Sequence, residues 1–205
     1  LLPLHELRVG LLVERALRLR ALLALGAEEE LLRVARVIAL DVIDRLVHEA
    51  DGHLGGDWGS WDADLRAVVS SIRTDLLDIA DAANAFECVL LQGSGSYGVE
   101  AALGSFALKN KKTLMLTNGA YGERAIKALS YMNHDFISYE TDELEAPSAE
   151  EVAALLKANP DVGAVFMVQC ETTSGIVNPV ADIAAVAQKA GCIVILDAMS
   201  SFGAM

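Results

Sequence analysis

The spacing of apolar positions along this chain changes once, near residue 86. Before that point the rhythm is helical. Leu12, Ala16, Leu19, Leu22 and Leu23 form one stripe, and Leu31, Val34, Ile38, Val42 and Leu46 form a second, with charges between them. Gly26 separates the two, and Glu28, Glu29 and Glu30 suit the first turn of the second helix, where the macrodipole favours negative charge. Residues 1–55 are therefore expected to be a helical N-terminal extension, packing on the rest of the chain or on another subunit. The glycine-rich break "GGDWGSWD" follows. A further amphipathic helix is predicted from Asp62 to about Ala80, with Leu65, Val68, Val69, Ile72 and Leu76 on one side.

Beyond residue 86, short apolar runs alternate with helical stretches. Strands are predicted near 87–91, 112–117, 135–139, 163–169 and 192–197, and helices near 97–108, 121–133, 148–158 and 180–190. The runs "VGAVFMVQ" and "CIVILDA" are apolar on consecutive residues, as in strands buried on both faces. Strand and helix in strict turn predict an α/β fold, a mostly parallel sheet with helices on both faces and right-handed crossovers. Ligands of such sheets bind beyond the carboxyl ends of the strands.

Composition narrows the function. With 53% hydrophobic and 22% charged residues the chain is an ordinary apolar-rich α/β sequence. Its net charge of −13 excludes a broad nucleic-acid surface and disfavours an anionic membrane, because both need Lys and Arg. A small anion held by local dipoles stays possible. Cys88, Cys170 and Cys192 are few, odd in number and set in or beside apolar runs, which predicts reduced thiols and a cytoplasmic location. No apolar run of membrane length and no signal-peptide layout is visible. His5, His48 and His53 match no metal-binding spacing, so no metal is expected.

Chemistry concentrates at four predicted strand ends. In "LLQGSGSYGVE", Gly93 to Gly98 fits the dinucleotide pattern G-x-G-x-x-G and enters a helix, so its free amides, with Ser94 and Ser96, make a cup for a phosphate. A bare βα turn with Ser96 as cap is the alternative. A nicotinamide dinucleotide would also need an acidic residue at the end of the next strand. That strand ends in Thr117-Asn118-Gly119, with no carboxylate before Glu123. Tyr121 stands at the mouth of the following helix, where its ring could stack on a planar cofactor or simply be half buried. At the third of these ends Glu171, Thr172, Thr173 and Ser174 follow a buried strand, and the three hydroxyls could meet a phenolate or a phosphate, or cap a turn. Asp197 closes a nearly wholly apolar strand, where a carboxylate is costly unless paired. A phosphate cup, a ring, hydroxyls and a buried anion together fit pyridoxal 5′-phosphate, whose ring nitrogen must be kept protonated.

The blocks "DWGSWD", "LQGSGSYGVEAALGS", "TNGAYGER", "CETTSGIVNP" and "ILDAMSSFGA", in this order from about Asp57 to Met205, resemble the class V aminotransferases of fold type I. Within them they resemble the 2-aminoethylphosphonate–pyruvate transaminase branch. The resemblance implies transfer of the amino group of 2-aminoethylphosphonate to pyruvate, giving phosphonoacetaldehyde and L-alanine in phosphonate catabolism. It implies that Ser94, Gly95 and Ser96 bind the cofactor phosphate and that Tyr121 stacks on its ring. Thr172 would meet its phenolic oxygen, Asp197 would pair with its pyridine nitrogen, and Met199 would line the pocket. It also implies a homodimer with the site between subunits. Residues 56–205 would be an incomplete cofactor-binding large domain. The family's Schiff-base lysine lies some two dozen residues past the aspartate, and Lys109, Lys111, Lys112, Lys127, Lys157 and Lys189 occupy other places, so this chain alone is expected to be inactive. Residues 1–55 do not resemble the family's opening segment. Two other readings remain open: another class V enzyme of the alanine– or serine–glyoxylate type, and a non-catalytic module that only associates with partners.

Overall fold

The computed structural model describes residues 34–37, 62–82 and 86–204. They divide into two compact units, one holding residues 62–82, 86–92 and 203–204, the other residues 34–37 and 93–202. The expected helix of residues 12–23 lies outside the described residues, as do the three histidines His5, His48 and His53.

In the first unit, α1 (Ala63–Ile79) matches the predicted amphipathic helix, with Leu76 as its buried residue. The predicted strand at 87–91 is not formed. Residues 86–91 lie in irregular backbone, and Val89 is 69% exposed. A strand needs a neighbour to take its backbone groups. Here the Arg73 guanidinium claims the segment instead, donating to the Cys88 carbonyl at 2.7 Å and pairing with Glu87 at 2.7 Å.

The second unit is built on five parallel strands in the order β1-β7-β4-β2-β3. These are β1 (Val34–Val37), β2 (Lys112–Thr117), β3 (Phe136–Glu140), β4 (Val162–Val168) and β7 (Ile193–Asp197). A two-stranded antiparallel ribbon, β5 (Cys170–Glu171) with β6 (Ile176–Val177), follows β4. Four of the five expected strands are present, and residues 34–37 take the fifth place. The helical stripe of residues 31–46 is thereby corrected over 34–37. Val34 to Val37 pair in parallel register with Val194 to Asp197, supplying the ladder that edge of β7 would otherwise lack, and the β-branched valines suit a strand.

Helices α2 (Gly95–Phe106), α3 (Ala120–Tyr131), α4 (Ala149–Ala158) and α5 (Val180–Lys189) cover the sheet. Alternation along the strands decides which face each helix takes. Leu114, Leu116, Val165, Met167, Val194 and Leu196 pack with Val152 and Leu156 of α4 and Ile183 and Ala187 of α5. The intervening Met115, Phe166, Val168 and Ile195 pack with Leu103 of α2 and Leu129 of α3. Each such large side chain contributes about 1.5–3 kcal/mol on burial, which is why β4 is apolar at every one of its positions. After β2 the chain moves to β3 on one side and then returns to β4 on the other. The carboxyl ends of β2 and β4 thus flank a switch point, the usual ligand crevice of such sheets.

Among the described residues two buried side-chain polar atoms are unmatched, Gln188 Nε2 and Thr113 Oγ1. The Thr113 hydroxyl is buried with no hydrogen-bond partner. Replacing it by a methyl in Thr113→Val removes that cost and is expected to raise stability by about 1 kcal/mol, read as a higher urea midpoint at unchanged slope; a lower midpoint would contradict this packing.

Candidate active site

Three junctions, the turn into α2, the passage from β2 into α3 and the end of β7, converge on one open cleft of about 200 Å³, lined by Ser94, Gly95, Ser96, Val99, Glu100, Tyr121, Arg124, Ala125, Ala128, Asp197 and Met199. At the first junction Gly93 has φ +152°, and a Cβ there would stand 2.7 Å from Tyr97 Cδ1, so the turn requires glycine. Ser94, not Ser96, is the N-cap of α2, accepting the Tyr97 amide at 3.4 Å. The amides of Gly95 and Ser96 stand in the first turn, where no helical acceptor exists. They leave the positive end of α2 facing the cleft.

At the second junction Tyr121, 42% exposed, presents its ring to the cleft from the start of α3. One turn on, Arg124 lies over that ring, its guanidinium 5.1 Å from the centroid, and donates to Ser96 Oγ at 3.3 Å. The cleft therefore has a cation beside the N-terminus of α2. Arg124 was not singled out from the sequence, although its place three residues after Tyr121 on a helix is a signal that it shares the ring's face.

At the third junction Asp197 ends β7 and is 8% exposed. Its Oδ1 accepts the Met199 amide at 3.0 Å. Burial pushes its carboxyl up, the Met199 N–H draws it back in part, and the charge of Glu171 pushes it up again. No cation among the described residues pairs with it. Met199 folds its side chain onto Gly95, where a Cβ would come within 2.8 Å of its methyl carbon, and so joins the Asp197 end of the cleft to the α2 end.

The structure thus brings together six of the seven residues expected to meet a cofactor: Ser94, Gly95, Ser96, Tyr121, Asp197 and Met199. Thr172 is exposed, in the turn between β5 and β6, and is not among the residues lining the cleft. None of the six lysines lines it either. A buried amide pair ties the end of β2 to the residue after β6, Asn118 and Asn178 bonding reciprocally at 2.9 and 3.1 Å. Among the described residues no cluster of His, Cys, Asp or Glu could hold a metal ion, and no helix is long and apolar enough to cross a membrane. The cysteines are free thiols, and burial raises those of Cys88 and Cys192.

The N-terminus of α2, a half-exposed ring and a buried carboxylate with no cation partner among the described residues thus share one cleft, an arrangement suited to a ligand that carries both an anionic and a cationic group. The sequence agrees: residues 40–205 match the family Aminotransferase class-V, and the chain belongs to it. The 2-aminoethylphosphonate–pyruvate transaminase of Pseudomonas entomophila (strain L48) is 46% identical over 149 residues, covering 73% of this chain and 40% of the relative. That of Rhizobium meliloti (strain 1021) is 44% identical over 150 residues, covering 73% and 39%. The chain thus spans about 40% of the length of these curated relatives. Among solved structures, pyridoxamine-pyruvate aminotransferase from Mesorhizobium loti superposes with a TM-score of 0.69 at 24% identity, over 84% of this chain and 43% of that one. Alanine–glyoxylate aminotransferase from Nostoc sp. gives 0.67 at 17%, over 83% and 44%. These superpositions show that the fold is shared.

The Asp197 environment has a measurable consequence in the cofactor-free chain. A carboxyl whose pKa is raised on folding costs stability once ionised. The cost is absent below the unfolded value of about 3.9, grows as pH rises from there towards the folded one, and is complete above it. Asp197→Asn keeps an acceptor for the Met199 amide and removes the charge. Its advantage over wild type in urea unfolding is expected to grow from about pH 4 to about pH 7; equal stability throughout would show that Asp197 is not desolvated.

Proposed function

We propose that the protein to which this chain belongs is a pyridoxal 5′-phosphate-dependent transaminase that moves the amino group of 2-aminoethylphosphonate to pyruvate, giving phosphonoacetaldehyde and L-alanine. The observation that carries the cofactor is Asp197, a buried carboxylate with no cation partner among the described residues, set across one cleft from the N-terminus of α2. The donor set fits the group. In this reading Ser94, Gly95 and Ser96 hold the phosphate through their amides and hydroxyls, with the Arg124 guanidinium adding charge. Met199 N–H occupies Asp197 Oδ1, and Oδ2 is left to accept the N–H of a protonated pyridine. The proton stays on the ring because the carboxylate next to it is otherwise unpaired. The Tyr121 ring covers one face of the cofactor and keeps water from it, and Thr172, which does not line the cleft of the empty chain, would come into it from the β5–β6 turn to offer its hydroxyl to the phenolic oxygen. Once bound, pyridoxal phosphate supplies an electron sink for the carbon next to the amine.

The choice of substrate rests on the names carried by the relatives at 43–46% identity. A homodimer and a cytoplasmic location belong to the same reading. Because no lysine of this sequence lines the cleft, the 205-residue chain is proposed to hold the cofactor without a covalent bond and to be inactive alone.

Absorbance titration of the chain with pyridoxal phosphate should saturate, and borohydride followed by mass spectrometry should find no single modified lysine. Asp197→Ala should weaken binding about tenfold or more, the expected loss of one charged hydrogen bond. The full-length protein should form alanine from 2-aminoethylphosphonate and pyruvate faster than glycine from alanine and glyoxylate. The opposite preference would replace the substrate, and no saturable binding would remove the cofactor.

A further inference from the structure

Glu171 is fully buried, at 0% exposure, yet it does not line the cleft. Its two carboxylate oxygens both accept. Oε2 takes the Tyr121 amide at 3.2 Å, and Oε1 takes the Thr173 amide at 3.3 Å and the Thr173 hydroxyl at 2.7 Å. These three bonds offset the cost of burying the group. The Tyr121 amide lies in the first turn of α3, where no carbonyl of the helix can reach it. The N-cap of α3 is Gly119, which has no side chain to offer. Glu171, 50 residues further along the chain, takes that role.

The bare backbone at Gly119 is what admits it. A Cβ there would stand 2.5 Å from Glu171 Cγ and 2.6 Å from Thr173 Oγ1. The side chain is thus confined between the end of β2, the start of α3 and the β5–β6 turn. The turn of helix it holds carries Tyr121 and then Arg124 into the cleft, so a shift of that turn would move ring and guanidinium together.

We propose that Glu171 is a positioning residue for the cofactor, fixing the Tyr121 ring over the cleft by accepting the Tyr121 amide. What the ring meets rests on the pyridoxal phosphate reading above; how the ring is held rests on the contacts just described. The charge of Glu171 also acts on Asp197, one of the causes after burial that raise its carboxyl. Both acids therefore favour a cation at the same end of the cleft.

The test uses the whole 205-residue chain as wild type, Glu171→Gln, which keeps one acceptor, and Glu171→Met, which keeps the volume and neither acceptor. Each is also made with Tyr121→Ala. Hydrogen exchange over residues 119–124 is followed without cofactor, and pyridoxal phosphate affinity and visible circular dichroism with it. Glu171→Met should exchange about tenfold faster there, bind about tenfold more weakly and lose the dichroism of the bound cofactor, at unchanged helix content. Glu171→Gln should fall between. In the Tyr121→Ala background the same substitutions should change affinity less than about twofold, because the route through the ring is gone.

Unchanged exchange in Glu171→Met overturns the proposal whether or not the cofactor binds. So does faster exchange with wild-type affinity and dichroism, additivity with Tyr121→Ala, or general loss of helix content in both variants. Wild type that binds no pyridoxal phosphate while exchange still responds would overturn the cofactor reading and leave Glu171 a helix cap only.

Discussion

A carboxylate removed from water must find a positive partner or take up a proton, and Asp197 has no cation among the described residues. Its neighbours make the position worse for a lone charge. Ile195 and Leu196 before it and Ala198 after it are buried and apolar, and Glu171 adds a second acid nearby. Such a residue is a cost to the empty fold. In the proposed reading it gains its value when a ring carrying N–H⁺ arrives, since the strength of that pair would come from the same low dielectric that penalises the acid alone. The rest of the cleft is organised around that exchange. Met199 turns one Asp197 oxygen inward and packs onto Gly95, so the acid and the anion cup are held at a fixed separation by the protein itself.

Parallel strands make this convergence possible. All five strands of the main sheet run the same way, so β2, β4 and β7 deliver their carboxyl ends to one edge. Helices α2 and α3 sit on the same face of the sheet and meet it through Leu103 and Leu129. Their N-termini carry the cup and the ring. The polar groups at those strand ends are satisfied by side chains from far along the sequence: Asn178 for Asn118, and Glu171 for the Tyr121 amide. The cleft is therefore framed by long-range hydrogen bonds over a continuous apolar core.

What was legible in the sequence follows from where local pattern and tertiary environment agree. Runs such as residues 162–168 could only be strands covered on both faces, and all seven positions are buried. Asp197 stood out because a charge ends an apolar run, and Gly93 to Ser96 because glycine and serine crowd the start of a helix. Residues 87–91 have the same apolar character, yet pairing is a property of a neighbour and none is present for them among the described residues; Arg73 takes the Cys88 carbonyl and the Glu87 carboxylate. Val34 to Val37 carry a helical spacing, and the open edge of β7 overrides it. Glu171 read as one more polar residue in "CETTSG". Its role depends on the missing Cβ of Gly119, a contact across 52 positions of sequence that no local pattern encodes.

The claim on which the site depends is that Asp197 holds a proton on the ring nitrogen of a bound pyridoxal phosphate. The most direct measurement is the nitrogen NMR shift of ring-labelled ¹⁵N pyridoxal phosphate bound to the chain, compared between wild type and Asp197→Asn at neutral pH. A protonated pyridinium in wild type and an unprotonated nitrogen in Asp197→Asn is the predicted result. An unprotonated nitrogen in wild type, or the same shift in both, would contradict it.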